Sequence, residues 1–190
     1  MGRLTPREFK LKNERSIVFR NADDSDATRL ISLTASIIME GRFMITMPHE
    51  FKIGTRKEKD WIRSHLMHPG RLLIVADADG ELVGMLDFRN GQQQRISHRG
   101  TLEMSVRRDW RGVGVGRALL TVMLDWATLN PLIYKVSLSV LSDNRAAISL
   151  YRRMGFIEEG RRVDEIQMDA GVFRDDILMY RLVKPKAVTS

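Results

Sequence analysis

Three glycines alternate along a short stretch of the chain, and two arginines flank them. Gly112, Gly114 and Gly116 lie between Arg111 and Arg117, after a strand pattern and directly before a helix pattern. Glycines at such a position leave backbone N–H groups uncovered, and the positive end of a helix dipole favours an anion at the same place. The spacing predicts a phosphate site, most naturally for a pyrophosphate. The alternative is a turn that only lets helix and strand pack closely.

Two familiar phosphate-binding patterns do not fit this loop. No Gly-Lys-Ser/Thr sequence follows the glycines, so the loop is not a P-loop. Leu119 takes the third glycine position of a dinucleotide-binding loop, and the loop lies late in the chain, not in an opening βαβ unit. The spacing that fits is Arg-x-x-Gly-x-Gly, at Arg111, Gly114 and Gly116.

A second pattern lies downstream. The segment from Asn144 to Phe156 has a capping residue, an Ala-x-x-Leu-Tyr core and a Gly-Phe ending, with Gly155 closing the helix. In this order and at this distance, the two segments resemble the acyl-CoA-binding loop and the following helix of the GNAT superfamily of N-acetyltransferases. The resemblance is specific from about Thr101 to Phe156, and the first hundred residues match only in element order. The sequence from Arg153 to Arg162 is most similar to the ribosomal-protein and amino-acid N-acetyltransferase branch.

The resemblance implies a fold, a reaction and a co-substrate. The fold would be mixed α/β (α+β), with a mostly antiparallel central sheet of about six to seven strands, flanked by helices and splayed at its central strands. The reaction would move an acetyl group from acetyl-CoA to a primary amine, such as a protein N-terminus, an amino acid, a polyamine or another small amine, by direct attack on the thioester. The residues that would bind coenzyme A are Met104, Val106, Arg111, Gly112, Val113, Gly114, Val115, Gly116, Arg117 and Asn144.

Three side chains are candidates for a role in this reaction. The resemblance places Tyr151 near the thioester sulfur, where it would protonate the leaving thiolate; the alternative is a core aromatic residue. Asn144 would hydrogen-bond the pantetheine arm, which is compatible with a simple N-cap. Glu103 is the one carboxylate on the strand before the loop and would accept the proton of the amine. The alternatives are that Glu103 faces solvent, and that a water-relayed base or no base is used.

Composition excludes several other kinds of protein. The chain has 190 residues, of which 43% are hydrophobic and 29% charged, and no cysteine. It therefore has no disulfide, thiolate nucleophile or cysteine-ligated metal, and it fits a reducing compartment, so we expect a cytoplasmic protein. His65 and His68 are spaced i, i+3 without a third patterned ligand, and we expect no metal. No apolar run approaches the roughly 18 residues of a membrane span.

The net charge of +7 suggests an acidic partner, which would be nucleic acid, a membrane surface or a phosphorylated small molecule. Six arginines and two acids between Arg95 and Arg117 give +4, and five arginines and two acids between Arg145 and Arg162 give +3. Because this charge lies among glycines and helix starts, it favours a phosphate site, and we expect neither a nucleic-acid nor a membrane partner. A catalytically silent acyl-CoA-binding module and a basic nucleic-acid binder remain as alternative functions.

The remaining patterns predict the order β-α-α-β-β-β-α-β-α-β-β in a single domain over 1–190, ordered from about 14 to 184 with frayed ends. Thr55 and Glu58 predict a capping box, and the helix after the glycine loop is expected from Arg117 to Thr128. The resemblance is compatible with a homodimer. We expect the acceptor pocket in the segments that the motifs constrain least, which are Leu30–Phe51, Asn90–His98 and Asp164–Phe173.

Overall fold

A computed structural model of the chain describes residues 4–12 and 14–185. The predicted frayed ends at 1–3 and 186–190 lie outside the described residues. The helices are α1 (Ala27–Ile38), α2 (Thr55–Met67), α3 (Val115–Leu129) and α4 (Arg145–Arg153). The strands are β1 (Arg7–Lys10), β2 (Ser16–Asn21), β3 (Arg71–Ala78), β4 (Glu81–Asn90), β5 (Arg99–Val106), β6 (Lys135–Leu141), β7 (Ile157–Asp169) and β8 (Val172–Leu182). Among these elements, no helix is long and apolar enough to cross a membrane.

Within the described residues, eight strands form one sheet in the order β1-β2-β3-β4-β5-β6-β8-β7. β5 and β6 run parallel, and the other neighbouring pairs of these strands are antiparallel. This confirms the mixed, mostly antiparallel architecture and the predicted element order from β2 onward. The expected strand number is too low by one, because Arg7–Lys10 pairs with β2. The prediction of a frayed segment is wrong for these four residues, whose single apolar side chain, Phe9, packs edge-on against Phe19.

The two faces of the sheet carry different helices. In β3, Leu72 and Ile74 belong to the apolar cluster that includes residues of α3 and α4, whereas Leu73 and Val75 belong to the cluster that includes residues of α1 and α2. This division follows from the alternation of side chains along a strand. We call the two sides of the sheet the α3/α4 face and the α1/α2 face.

The sheet opens between its two parallel strands. β5 and β6 pair at Arg99–Lys135, Gly100–Val136 and Thr101–Ser137, and the pairing stops there. Beyond these pairs, β5 continues beside β4 as far as Val106, and β6 continues beside β8 as far as Leu141. The gap between the diverging strands is the splay that the resemblance implies, and its vertex lies at Thr101.

The helix ends agree with the sequence at α4 and differ at α2. Asn144 is the N-cap of α4 and accepts a hydrogen bond from the Ala147 N–H at 3.2 Å, and Gly155 adopts φ +80° after the helix. Thr55 is the first residue of α2 and not its cap, because extended Gly54 precedes the helix. Glu58 caps nothing; it is buried, and burial raises its pKa. The predicted capping box at Thr55 and Glu58 is therefore wrong.

Candidate active site

The glycine loop turns directly into α3. Gly114 is the N-cap of the helix with φ +116°, and Gly112 has φ +79°, so both adopt backbone conformations that other residues avoid. A side chain at Gly112 would point into open space, since no atom lies within 4 Å of the position of its Cβ. The helix begins at Val115, two residues before the predicted start, which places Gly116 and Arg117 inside its first turn.

A row of unused backbone donors follows from this turn. In the described residues, no acceptor takes a hydrogen bond from the N–H groups of Gly112 through Arg117, and the first bonded amide is that of Ala118, which donates to the Gly114 carbonyl at 3.0 Å. Four such amides are expected at the start of any helix. The two left-handed glycines extend the row to six and curve it into an anion-binding concavity. The loop therefore has unbonded backbone N–H groups at the position where the sequence predicts a phosphate site.

The arginines of this region are mostly engaged by carboxylates. Arg111 makes a two-point ion pair with Glu40, at 2.7 and 2.9 Å, and its Nε donates to the Val106 carbonyl at 2.8 Å. Arg107 pairs with Asp109 and Glu81. Arg117 makes no ion pair with any described residue, so it is the flanking arginine whose charge is not already used.

The loop, the end of β5 and α4 meet at Gly116. A Cβ on this glycine would lie 3.3 Å from Cδ2 of Leu150 and 3.5 Å from Cε of Met104. Because these contacts are tight, a larger residue at 116 would push α4 or β5 away from the first turn of α3. The structure thus brings the predicted coenzyme A residues Met104 and Gly116 together, with Val106 two residues further along β5.

On α4, Tyr151 and Asn144 are placed in different environments. Tyr151 is buried in the α3/α4 cluster beside Phe156, and burial raises its pKa to about 12. Its hydroxyl has no hydrogen-bond partner among the described residues. Asn144 accepts the capping bond through Oδ1, which leaves its Nδ2 free to donate. Tyr151 therefore has the surroundings of a core residue together with an unused donor.

Glu103 lies on the opposite side of β5 from Met104. Its side chain is 69% exposed, and it pairs with Arg89 at 2.7 Å. Arg89 Nε also donates to Asp87 at 2.8 Å, and Asp87 lies 2.6 Å from Nε2 of His65. The chain of contacts runs from the surface into the core, because Asp87 and His65 are 2% and 1% exposed. Glu103 is thus accessible and ion-paired on the α1/α2 face.

A cavity of about 350 Å³ lies at the closed end of the splay. Its lining includes Arg71, Arg89 and Arg99, together with Asn90 and Thr101. We call these five residues the arginine pocket. The sequence analysis missed it, although Asn90 belongs to a segment in which the acceptor pocket was expected. Its arginines lie on three strands and carry no motif that could have indicated them.

Two further contacts of the glycine loop were also missed. Glu40, from the segment after α1, binds Arg111, and the backbone N–H of Lys12 donates to the Val113 carbonyl at 3.1 Å. Neither residue belongs to a motif. Within the described residues, no group of three or more His, Cys, Asp or Glu could hold a metal ion.

These features are unbonded backbone donors at the start of α3 and a gap between the parallel strands β5 and β6. The model of the acetyltransferase (GNAT) family matches residues 39–156. The L-amino acid N-acetyltransferase AaaT of Escherichia coli is 29% identical over 146 residues, which are 76% of this chain and 85% of that protein. The spermidine N(1)-acetyltransferase of Vibrio cholerae is 29% identical over 112 residues, which are 59% of this chain and 63% of that enzyme. The yncA protein of Salmonella typhimurium, solved with its cofactor acetyl-CoA, has a TM-score of 0.80 and 18% identity, and the match covers 92% of this chain and 98% of that one.

The chain belongs to the GNAT family of acetyltransferases, and the resemblance found in the sequence is confirmed. It is an N-acetyltransferase whose acetyl donor is acetyl-CoA and whose acceptor is an amine.

Proposed function

We propose that the loop from Gly112 to Arg117 binds the pyrophosphate of acetyl-CoA, and that the free edge of β5 binds the pantetheine arm. The observation that carries this proposal is the row of six unpaired amides, a donor set that suits phosphate oxygens. The amides of the pantetheine would pair with the backbone of Leu102–Val106 as an added strand does at a sheet edge. The free Nδ2 of Asn144 supplies a further donor to the same arm.

The acetyl group moves directly to the amine. The neutral amine nitrogen attacks the thioester carbonyl carbon, and backbone N–H groups from Met104 to Val106 stabilise the resulting oxyanion. The carbon–sulfur bond then breaks, and its electron pair remains on sulfur as a thiolate. No acyl-cysteine intermediate forms, because the chain contains no cysteine.

In this scheme, the Tyr151 hydroxyl interacts with the sulfur of the leaving thiolate. With a pKa of about 12, its hydroxyl keeps its proton throughout the neutral range. A free thiol has a pKa of about 8.5, so the thiolate is a weaker base than the tyrosinate. Tyr151 therefore acts mainly by donating a hydrogen bond to the developing thiolate. On balance, the proton that ends on the thiol comes from the ammonium that the attack creates.

Glu103 is the proposed base for that ammonium. It lies on the α1/α2 face, across β5 from Met104, so an amine that approaches from this face would meet its carboxylate before the thioester. The ion pair with Arg89 holds the carboxylate in place. Since its side chain is largely exposed, water can carry the proton onward.

Two measurements on the purified protein test this proposal. Titration calorimetry should detect acetyl-CoA binding, and thiol release in the presence of amines should report transfer. In Tyr151→Phe, we expect thiol release about 10- to 100-fold slower with acetyl-CoA affinity unchanged. Tyr180→Phe is the matched control and should keep the wild-type rate.

The outcomes separate the alternatives. Binding without thiol release from any amine would indicate a silent acyl-CoA-binding module, and absence of binding would contradict the proposed site. A basic nucleic-acid binder would instead show DNA or RNA affinity that falls steeply with salt. We expect none, because Arg107, Arg111, Arg161 and Arg162 are already paired with carboxylates.

The proposal extends to the setting of the enzyme. We expect it to act in the cytoplasm on a primary amine, which fractionation of cells would test. A homodimer is proposed from the family resemblance alone, and light scattering would test it. The relatives named above include an L-amino acid acetyltransferase and a spermidine acetyltransferase, which frame two acceptor classes, an amine that carries a carboxylate and a polycation.

A further inference from the structure

The arginine pocket lies on the same face of the sheet as Glu103. Arg89 is the direct cross-strand partner of both Arg71 on β3 and Thr101 on β5, so the three side chains share a face. Glu103 is the cross-strand partner of Asp87, two residues from Arg89, and therefore lies on that face as well. The pocket opens toward the side from which the acceptor is proposed to approach.

Two arginines of the pocket, Arg71 and Arg99, have no carboxylate partner among the described residues. Arg89 is compensated by Asp87 and Glu103, but Arg99 makes no ion pair with a residue in the described ranges. Nε of Arg71 is buried without a hydrogen-bond partner, and the nearest contact of its guanidinium is a long one, 3.4 Å from Nη1 to Ser64 Oγ. Asn90 is 7% exposed, and its Oδ1 also has no partner. Buried polar groups are normally satisfied, so the vacant N–H of Arg71 points to a ligand with an acceptor oxygen, whereas the Asn90 oxygen is itself an acceptor and would bind a donor.

The pocket is also at the right distance for an acceptor. Thr101, in its lining, is the last residue of β5 that pairs with β6, so the pocket begins where the splay begins. Glu103 follows two residues later, about 7 Å along the strand. A small molecule that fills the pocket with one end therefore places its other end beside Glu103 and the gap between the strands.

We propose that the arginine pocket binds a carboxylate of the acceptor, so that the enzyme acetylates amines that also carry a carboxylate, of which free amino acids are the simplest. Arg99 and Arg71 bind the carboxylate oxygens, and the amine points toward Glu103. A polyamine, which has only cationic groups, would meet two uncompensated guanidinium groups at this place. This inference rests on the proposed function, because it assigns the acceptor of the same site.

The experiment compares acceptors that differ only in the carboxylate. Thiol release is measured with L-leucine, L-methionine and L-phenylalanine, with the carboxamide of each, and with spermidine, and rates are expressed per free amine. We expect kcat/KM at least about 10-fold higher for the amino acids than for their amides, because each charged contact contributes appreciably to binding. Amides have the less basic amine, so a larger fraction of them is neutral at neutral pH, and expressing the rates per free amine removes this difference.

Variants assign this preference to the pocket. Arg99→Gln should raise the KM for amino acids about 10-fold and leave that for the amides unchanged, so that the preference nearly disappears. Arg99→Lys should retain part of it, since a lysine keeps the charge but not the planar fork. Arg56→Gln is the matched control, because Arg56 is an exposed arginine of α2 that does not line the cavity.

The possible results test this inference separately from the proposed function on which it rests. Equal or better turnover of amides or spermidine would overturn the carboxylate pocket and leave the acetyltransferase intact, as would an unchanged preference in Arg99→Gln. If no amine releases thiol, titration of the amino acids into the protein with coenzyme A decides, and absence of binding overturns the inference. Loss of acetyl-CoA binding itself would contradict the proposed function.

Discussion

We propose one anion site at each end of β5, and the two are built on different principles. At its C-terminal end, the glycine loop offers backbone amides. Of the two arginines that flank the loop, Arg111 is already paired with Glu40. At its N-terminal end, the arginine pocket offers guanidinium groups from three strands. The strand between them has eight residues, so the two sites are about 20 Å apart.

This difference decides how each site recognises its ligand. Amides fixed at a helix start donate hydrogen bonds to any phosphate of suitable size. This binding needs neither a particular side chain nor a change in the charge of a side chain. Arginine side chains read the planar shape and the charge of a carboxylate, and they can be tuned by their neighbours. In the proposed scheme, backbone amides therefore bind the acetyl donor, acetyl-CoA, and side chains bind the acceptor amine.

The largest expected effect comes from Gly114, where the backbone site can be broken without removing a charge. Gly114→Ala forces a side chain into φ +116°, so we expect the first turn of α3 to rearrange and acetyl-CoA affinity to fall by about 100-fold. Calorimetry measures the affinity. Gly171→Ala places the same strain at φ +74° in the β7–β8 turn and should bind acetyl-CoA like the wild type. Normal binding by Gly114→Ala would show that the loop geometry is not what holds the phosphates.

A smaller effect is expected from substitution of Asp87, a buried residue that pairs with Arg89 of the arginine pocket. The buried ring of His65 lies between two acceptors, with Nδ1 2.9 Å from the Trp61 carbonyl and Nε2 2.6 Å from Asp87. Asp87→Asn removes the carboxylate shared by this ring and Arg89, and leaves Arg89 paired only with Glu103, so we expect a loss of about 3 kcal/mol in the free energy of unfolding. We also expect amino-acid KM to rise about 5-fold, because Arg89 is no longer held in the pocket.

Denaturant unfolding and acceptor kinetics check these two effects together. Asp125→Asn is the control, since Asp125 pairs with Arg7 across an exposed surface, and such pairs contribute about 1 kcal/mol or less. Unchanged affinity for acetyl-CoA in Asp87→Asn would separate the two ends of β5. A parallel loss at both ends would mean that they are one coupled unit.

The sequence located the glycine loop and the helix ends around it, but it did not indicate the three arginines of the arginine pocket. Arg111, Gly114, Gly116, Asn144 and Gly155 are informative because a helix start or a helix end is encoded within a few neighbouring residues. The arginine pocket has no such local signal, since Arg71, Arg89 and Arg99 meet only through the register of β3, β4 and β5. Register depends on the whole sheet, which no single segment specifies.

Three smaller shortcomings have causes that are also not encoded in the local sequence pattern. Charge summed over Arg95 to Arg117 indicates a basic region, yet Arg99 lies at the opposite end of β5 from Arg107. Thr55 and Glu58 have the spacing of a capping box, but burial of Glu58 against the core overrides it. β1 was missed because its residues alternate too little in hydrophobicity to predict a strand.

The smallest expected effect tests whether the glycine loop is insulated from side-chain charge. Glu40 and Arg111 have side chains that are 22% and 43% exposed, so their pair contributes about 1 kcal/mol or less. In Glu40→Gln, one negative charge beside the phosphate site is lost. We expect acetyl-CoA to bind about 2- to 3-fold more tightly at low ionic strength, and the gain to shrink in high salt.

Calorimetry at two salt concentrations measures this change, and Glu165→Gln on β7 is the control for removal of a negative charge away from the loop. Weaker binding that does not depend on salt would mean that the Glu40–Arg111 pair acts by holding the loop in shape. In that case the segment after α1, where part of the acceptor pocket is expected, would be mechanically coupled to the donor site. If high salt abolishes the gain in acetyl-CoA affinity, the backbone amides are the main determinant of phosphate binding. The charge of Glu40 would then act only through the electrostatic potential at the loop.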